Sequence, residues 1–235
     1  MEERVFERKG VRLRALVWPG ERTRLPVVFL PGFWGPPEAY QAEARALGSH
    51  PVAALGLRGS PGCGAPERGW TFEDFLADLV FLVERLDFPR FLLSAYSANV
   101  PLALAYAARH PERVRGLFLI DYPPRVRRPG SDWVRRMRKA RPDLPEAALW
   151  GIHTEFGPFD AGPLLSRVRA PVLILRGNPE RGGRLGEVEA EATRATLPNA
   201  RVVAFPDAGH EVWAPDPGAY LEALGDFVAT LEGRR

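Results

Sequence analysis

The sequence is poor in cysteine, with Cys63 as its single example among 235 residues. One thiol excludes any disulfide within the chain and any metal site built from several cysteines, which fits a reducing compartment. An apolar export signal is also missing from the start, where Met1-Glu2-Glu3-Arg4 is charged. We therefore expect a cytoplasmic protein.

A strong net charge of one sign and an uninterrupted apolar run of membrane length are absent as well. The 32 Lys and Arg residues nearly balance the 29 Asp and Glu residues, giving a net charge of +3, which is too small to mark a nucleic-acid partner. Residues 91–108 carry no charge and have the length of a membrane span. Ser94, Ser97, Asn99 and Pro101 interrupt them, so we expect no membrane span but a buried strand, a sharp turn and a buried helix.

Apolar residues make up 46% of the chain, enough to fill one sizeable core and to exclude intrinsic disorder. Residues 5–18, divided at Lys9-Gly10, predict an N-terminal hairpin. Six later runs are apolar without polar alternation, as in strands buried on both faces of a parallel sheet. They are residues 26–30, 51–55, 90–93, 114–120, 171–175 and 201–205.

Helical periods separate these runs. The clearest is a stripe that follows a candidate cap at Thr71, and the last helix repeats it from Tyr220 to Leu231. The stripe consists of Phe72, Phe75, Leu76, Leu79, Val80, Val83 and Leu86. Alternating strands and helices predict an α/β fold, a mostly parallel doubly wound sheet flanked by helices, whose chemistry lies at the carboxyl ends of the strands.

One connection, residues 122–170, is far longer than a loop or a single crossover helix. We interpret it as a small inserted helical cap, or lid. The remaining residues, 1–121 and 171–235, then form one core domain.

A serine stands where residues 90–93 give way to an Ala/Leu-rich helix. A tight strand-to-helix turn would project the Ser97 hydroxyl from the sheet edge. The N–H of the next residue, Ala98, would point with the helix dipole to where an oxyanion forms. Ser97 is therefore the candidate nucleophile, and Ser94 is expected to lie inside the strand.

The chain resembles the α/β-hydrolase fold family over nearly its whole length. The family's nucleophile elbow, Gly-x-Ser-x-Gly, corresponds here to Ala95-Tyr96-Ser97-Ala98-Asn99, with both glycines replaced. Asn99 must fit where the helix packs closely on the strand. The segment Pro31-Gly32-Phe33-Trp34-Gly35 is similar to the family's His-Gly oxyanion loop, with Pro31 in place of His. This match implies that the Phe33 N–H is a second oxyanion donor.

Three further landmarks follow in the family's order. Residues 56–62 resemble the loop after the next strand, and Ala208-Gly209-His210 matches the position of the catalytic histidine. Glu180 stands where the family usually has its Asp. Asp121, at the end of the preceding strand, is the principal alternative acid, and Asp207 is a second one.

The predicted cap is rich in arginine and aromatic residues. Its cations indicate either a solvated helix face or recognition of an anionic substrate. They are Arg125, Arg127, Arg128, Arg135, Arg136, Arg138, Lys139 and Arg141. Candidate substrate-binding aromatics are Trp34, Tyr96, Trp133 and Trp150.

No glycine-rich dinucleotide loop follows a strand, and no cluster has metal-ligand spacing, so we expect neither cofactor nor metal. The resemblance implies a serine hydrolase acting on a small-molecule ester or thioester. Ser97 would attack the carbonyl, His210 would take its proton and Glu180 would orient the imidazole. Two alternatives stay open, namely a triad-based lyase acting on an anionic substrate and a catalytically degenerate binding protein. The oligomeric state does not follow from the sequence.

Overall fold

Ten strands are present in the computed structural model, which describes residues 1–233. They are β1 (Glu2–Arg8), β2 (Val11–Trp18), β3 (Val27–Leu30), β4 (Val52–Gly56), β5 (Phe91–Tyr96), β6 (Val114–Ile120), β7 (Arg125–Val126), β8 (Phe159–Asp160), β9 (Val172–Gly177) and β10 (Ala200–Phe205). Eight of them form one sheet in the order β1-β2-β4-β3-β5-β6-β9-β10, and β7 pairs with β8.

Among the same described residues, seven α-helices connect and cover these strands. They are α1 (Gln41–Ala46), α2 (Phe72–Arg85), α3 (Val100–Arg109), α4 (Ser131–Ala140), α5 (Glu146–Glu155), α6 (Glu187–Thr196) and α7 (Pro217–Gly233). Within residues 1–233, none of the helices combines the length and apolar character that crossing a membrane requires.

The sheet confirms the predicted fold class. β1 and β2 form the N-terminal hairpin, and Lys9 and Gly10 turn between them with φ of 50° and 78°. β2 also runs antiparallel to β4, whereas the remaining pairings of this eight-stranded sheet are parallel. Five of the six apolar runs are buried, and separate apolar clusters pack against the two sides of the sheet. The sixth, residues 201–205, differs from the prediction because it forms the edge strand β10, where Arg201 and Ala204 are exposed.

The helix predicted after Thr71 begins there. The Thr71 hydroxyl accepts a hydrogen bond from the Asp74 N–H, and the Asp74 carboxylate accepts one from the Thr71 N–H. This reciprocal cap satisfies two of the donors that a helix start leaves unpaired. The predicted stripe faces the core, where Phe75, Leu79 and Val83 are fully buried.

Strand order determines which loops meet. The parallel neighbours β3, β5, β6 and β9 end at the same edge of the sheet. The residues that follow them, from Pro31, Ser97, Asp121 and Asn178 onward, therefore begin side by side.

The segment predicted as a cap contains β7, α4, α5, β8 and a 3₁₀ helix, Gly162–Arg167. Glu155, at the end of α5, attaches it to the core, because its Oε2 accepts hydrogen bonds from the Gly69 and Trp70 N–H groups at 2.8 and 3.1 Å. The Trp70 ring packs so closely on α5 that a Cβ at Gly151 would lie 2.0 Å from it. Residues 122–160 thus contain two helices and one antiparallel pair of two-residue strands.

Glu43 is a buried carboxyl on α1, which packs against α7 on the face of the sheet away from the cap. Burial raises the pKa of this carboxyl above its usual value. A carboxyl whose pKa is raised by folding favours the folded state at low pH, and this contribution is lost as the pH rises through the raised pKa.

We therefore expect Glu43→Gln, which stays neutral, to gain in melting temperature relative to wild type as the pH rises from about 4 to 7. Thermal unfolding of both proteins across this range measures the difference. Glu222→Gln, an exposed glutamate on α7, is the matched control and should show no such trend. An equal Glu43→Gln difference at all pH values would contradict this expectation.

Candidate active site

Ser97 stands at the corner between β5 and α3. It is the first residue of a 3₁₀ turn, Ser97–Asn99, and its φ is 57°, in the left-handed region that favours glycine. A non-glycine residue held there carries backbone strain, which proteins keep mostly at functional sites. Ser94, as predicted, is buried inside β5.

The Ser97 hydroxyl meets the imidazole of His210. The Oγ lies 2.8 Å from His210 Nε2, although the two residues are 113 positions apart in sequence. His210 is partly accessible, with 22% of its side chain exposed. The serine and histidine that the sequence singled out are thus brought into hydrogen-bond contact.

Asp121 lies on the other side of the imidazole. Its Oδ2 is 2.8 Å from His210 Nδ1, and the side chain is completely buried. Three backbone N–H groups also donate to this carboxylate, from Gly177 at 2.9 Å, Arg184 at 2.8 Å and Leu185 at 3.3 Å. These bonds compensate for removing a charged group from water and hold both oxygens in place.

The prediction that Glu180 contacts the imidazole is wrong in this structure. Glu180 is exposed in the 3₁₀ turn Pro179–Arg181, and its N–H is held by the Asn178 side chain at 2.9 Å. That turn carries the residue out from the sheet edge. Asp207 does not take the position either, because its carboxylate is 85% exposed and lies 3.9 Å from Arg181 Nη2. The carboxylate beside His210 is Asp121, the principal alternative.

Two glycines allow the histidine loop to approach the end of β9. A Cβ at Gly177 would lie 2.0 Å from the Gly209 carbonyl oxygen, and one at Gly209 would lie 2.3 Å from the Arg181 carbonyl oxygen. The Asn178 N–H then donates to the Ala208 carbonyl at 2.7 Å. Sequence reasoning used the Ala-Gly-His turn but missed Gly177, whose place directly at a strand end was the available signal.

The loop after β3 lies against the serine. A Cβ at Gly32 would be 3.3 Å from Ser97 Cβ and 3.0 Å from the Tyr96 ring. The loop turns tightly, with the Gly35 N–H donating to the Gly32 carbonyl at 2.8 Å and Trp34 at φ 56°. Phe33 directly follows the glycine that lies against Ser97, and Ala98 lies in the 3₁₀ turn that begins at Ser97.

Tyr96 packs against both the imidazole of His210 and the ring of Trp213. The Tyr96 ring centre lies 4.8 Å from those of His210 and Trp213. Burial, followed by the negative charges of Glu211 and Asp121, raises the pKa of Tyr96 above its usual value. The phenol therefore stays protonated at neutral pH and can donate a hydrogen bond.

The three tryptophans predicted to bind substrate occupy different environments. Trp34 is 2% exposed and packs on Trp133 at 5.7 Å, so it supports the loop that contains Phe33. Trp133 is half-buried on the inner side of α4. Trp150 is 41% exposed, and its Nε1 donates to Glu146 at 3.0 Å.

The four cationic residues of α4 are exposed, and two of them form local ion pairs, Arg135 with Asp132 and Arg138 with Glu146. Arg141, directly after the helix, pairs with Asp143 at 2.8 Å. Such pairing is typical of a solvated helix face, the first of the two interpretations offered by the sequence.

The other histidines are held by backbone carbonyls or lie at a helix end. His50 Nδ1 contacts the Leu47 carbonyl at 2.5 Å, His153 Nδ1 contacts that of Pro129 at 2.8 Å, and His110 follows α3. In the part of the chain that the structure describes, no group of three or more His, Cys, Asp or Glu side chains is placed to hold a metal ion.

The hydrogen-bond directions follow from the chemistry of the groups. An ionised carboxylate only accepts, so His210 Nδ1 carries the proton and Nε2 presents a lone pair to the Ser97 hydroxyl. Such an arrangement can remove the serine proton as the oxygen attacks an electrophile.

Comparison with known proteins finds similarity to hydrolases. A family model described as alpha/beta hydrolase fold matches residues 26–149, more than half of the chain. A 2-(acetamidomethylene)succinate hydrolase of Mesorhizobium japonicum is 26% identical in an alignment that covers 74% of this chain and 77% of that protein.

Two solved structures share the fold. A loop variant of a haloalkane dehalogenase from Bradyrhizobium elkanii superposes with a TM-score of 0.80 at 18% identity, covering 99% of this chain and 98% of the other. A thioesterase domain from the curacin biosynthetic pathway gives 0.71 at 19% identity, with coverage of 97% and 99%. At these identities the likeness shows the fold alone.

Proposed function

This chain belongs to the α/β-hydrolase fold family, and from that premise we propose that it is a serine hydrolase that cleaves a carboxylic ester or thioester. The observation that carries the proposal is the continuous hydrogen-bonded series Ser97–His210–Asp121, with 2.8 Å at both contacts of the imidazole. It forms in spite of the replaced elbow glycines. A degenerate binding protein would have no need of it.

In the first step, Ser97 Oγ attacks the carbonyl carbon while His210 Nε2 takes the serine proton. Asp121 holds the imidazole in the required tautomer and stabilises the imidazolium. The Phe33 and Ala98 N–H groups receive the oxyanion of the tetrahedral intermediate. His210 then gives its proton to the departing alkoxide or thiolate, which leaves an acyl group on Ser97.

In the second step, His210 takes a proton from water, and the resulting hydroxide equivalent attacks the acyl carbon. Collapse of the second tetrahedral intermediate breaks the bond to Ser97 and returns the proton to its oxygen. The products are a carboxylic acid and the free alcohol or thiol. No cofactor takes part in either step.

A panel of p-nitrophenyl esters and acyl thioesters, differing in acyl length and charge, tests the proposal. We expect turnover of at least one ester or thioester series with saturation kinetics. The panel should include acyl groups that bear a carboxylate, so that the cap arginines are tested for recognition of an anionic substrate. A folded protein that turns over none of them would contradict ester and thioester hydrolysis and would favour the lyase.

A further inference from the structure

Asn99 lies two residues after Ser97, where the family's elbow has a glycine, and only 4% of it is exposed. Its Nδ2 lies 2.6 Å from the carbonyl oxygen of Pro31. A carbonyl oxygen only accepts, so the amide nitrogen must face it as the donor. This bond joins the start of α3 to the loop after β3, across 68 positions of sequence.

The Pro31 carbonyl, which accepts this bond, lies outside the sheet ladder. Leu30 and Ala95 form the last rung of the β3–β5 ladder, and Pro31 lies beyond it and is buried. A buried carbonyl outside a ladder needs another donor. The Asn99 side chain supplies it.

We infer that Asn99 is a positioning residue that aims the Phe33 N–H at the oxyanion, an inference that rests on the proposed function. The peptide unit between Pro31 and Gly32 is planar, so fixing its oxygen fixes the whole unit. Only the two torsions of Gly32 then separate this fixed plane from the Phe33 N–H. Glycine is the most permissive residue for such a link, so the loop needs an external restraint.

The other amide atom supports this role. Asn99 Oδ1 is buried and has no hydrogen-bond partner among the described residues. A side chain that only filled space would avoid an unpaired buried polar atom. We therefore assign the function of Asn99 to its amide N–H, which donates to the Pro31 carbonyl.

The inference is tested with Asn99→Leu, which keeps the approximate shape and has no donor, and with Asn99→Gly, which restores the family's residue. A trifluoromethyl ketone is the second probe. Ser97 Oγ bonds to its carbonyl carbon, His210 takes the serine proton, and the ketone oxygen becomes an oxyanion in place of the tetrahedral intermediate's. Ser94→Ala, which removes a buried and unpaired hydroxyl nearby, is the control.

We expect kcat to fall about 10–100-fold in both Asn99 variants, with KM within about threefold of wild type. The Ki of the ketone should rise by the factor by which kcat/KM falls, because both report on the oxyanion. Ser94→Ala should stay within about twofold in each quantity. A merely structural Asn99 would instead lower the melting temperature and leave the kcat and Ki of the folded protein unchanged.

Wild-type kcat and Ki in Asn99→Gly would overturn the inference, even if Asn99→Leu were inactive or failed to fold, since a branched apolar side chain can disturb the packing at this position by itself. Failure of the proposed function is distinguishable. In that case wild type itself neither hydrolyses esters nor binds the ketone, whereas failure of the inference alone leaves an active wild type and an equally active Asn99→Gly.

Discussion

Ser97→Ala is expected to lower kcat by about 10⁴–10⁶-fold, to the rate supported by binding and the oxyanion donors alone. The variant removes the oxygen that lies 2.8 Å from His210 Nε2 and leaves the imidazole in place. Alanine also relieves no strain, because φ of 57° is unfavourable for any residue with a Cβ. The loss should therefore appear in kcat with little change in melting temperature.

Initial rates on the best ester of the panel, with thermal unfolding alongside, measure both effects. Ser94→Ala is the matched control, because it also removes one hydroxyl but from the interior of β5. It should retain wild-type kcat. Equal losses in the two variants would assign the effect to packing of β5, and full activity in Ser97→Ala would remove Ser97 from the mechanism.

Asp121→Asn is expected to lower kcat by about 10³–10⁴-fold. An amide in this position can donate to His210 Nδ1, which would move the imidazole proton to Nε2 and leave no lone pair for the serine proton. The amide also turns an N–H group toward a backbone N–H where the carboxylate accepted one, at a cost of about 1–3 kcal/mol in the free energy of unfolding. We therefore expect a lower melting temperature too.

Glu180→Gln separates the two candidate acids. Its side chain is exposed and outside the hydrogen-bonded series, so kcat should stay within about twofold and stability within about 0.5 kcal/mol of wild type. Steady-state kinetics of both variants at one pH suffice. A large loss in Glu180→Gln with an active Asp121→Asn would reverse the assignment made from the structure.

The sequence predicted what depends on local pattern and chain order. Unbroken apolar runs identified the parallel strands, and the change at Ser97 from a β-like run to an Ala/Leu helix located the corner. The histidine followed from the Ala-Gly-His turn before the last helix. Each of these features is indicated by a sequence pattern that lies within a few residues of it.

Which carboxylate contacts His210 depends on backbone geometry that the sequence pattern does not reveal. Glu180 and Asp121 both follow strands that end at the same edge, and chain order alone does not distinguish them. The difference arises from backbone torsions. Asp121 turns at φ 46°, where its carboxylate is met by the Gly177 and Arg184 N–H groups. A left-handed aspartate has no sequence signature, whereas a left-handed glycine would have had one.

The Asn99–Pro31 contact was hidden for a similar reason. Asn99 was recognised as a departure from the elbow pattern, but its partner is 68 residues away and accepts through the backbone, which any residue possesses. Only the β3–β5 pairing brings the two together.

Labelling with a fluorophosphonate, followed by intact mass and peptide mapping, tests most directly whether Ser97 is an activated nucleophile. The reagent's fluoride leaves as the serine oxygen bonds to phosphorus, with the proton passing to His210. We predict one adduct per chain, on the peptide that contains Ser97, and none in Ser97→Ala. A folded wild-type protein that stays unmodified, or that carries the adduct on another residue, would contradict the account.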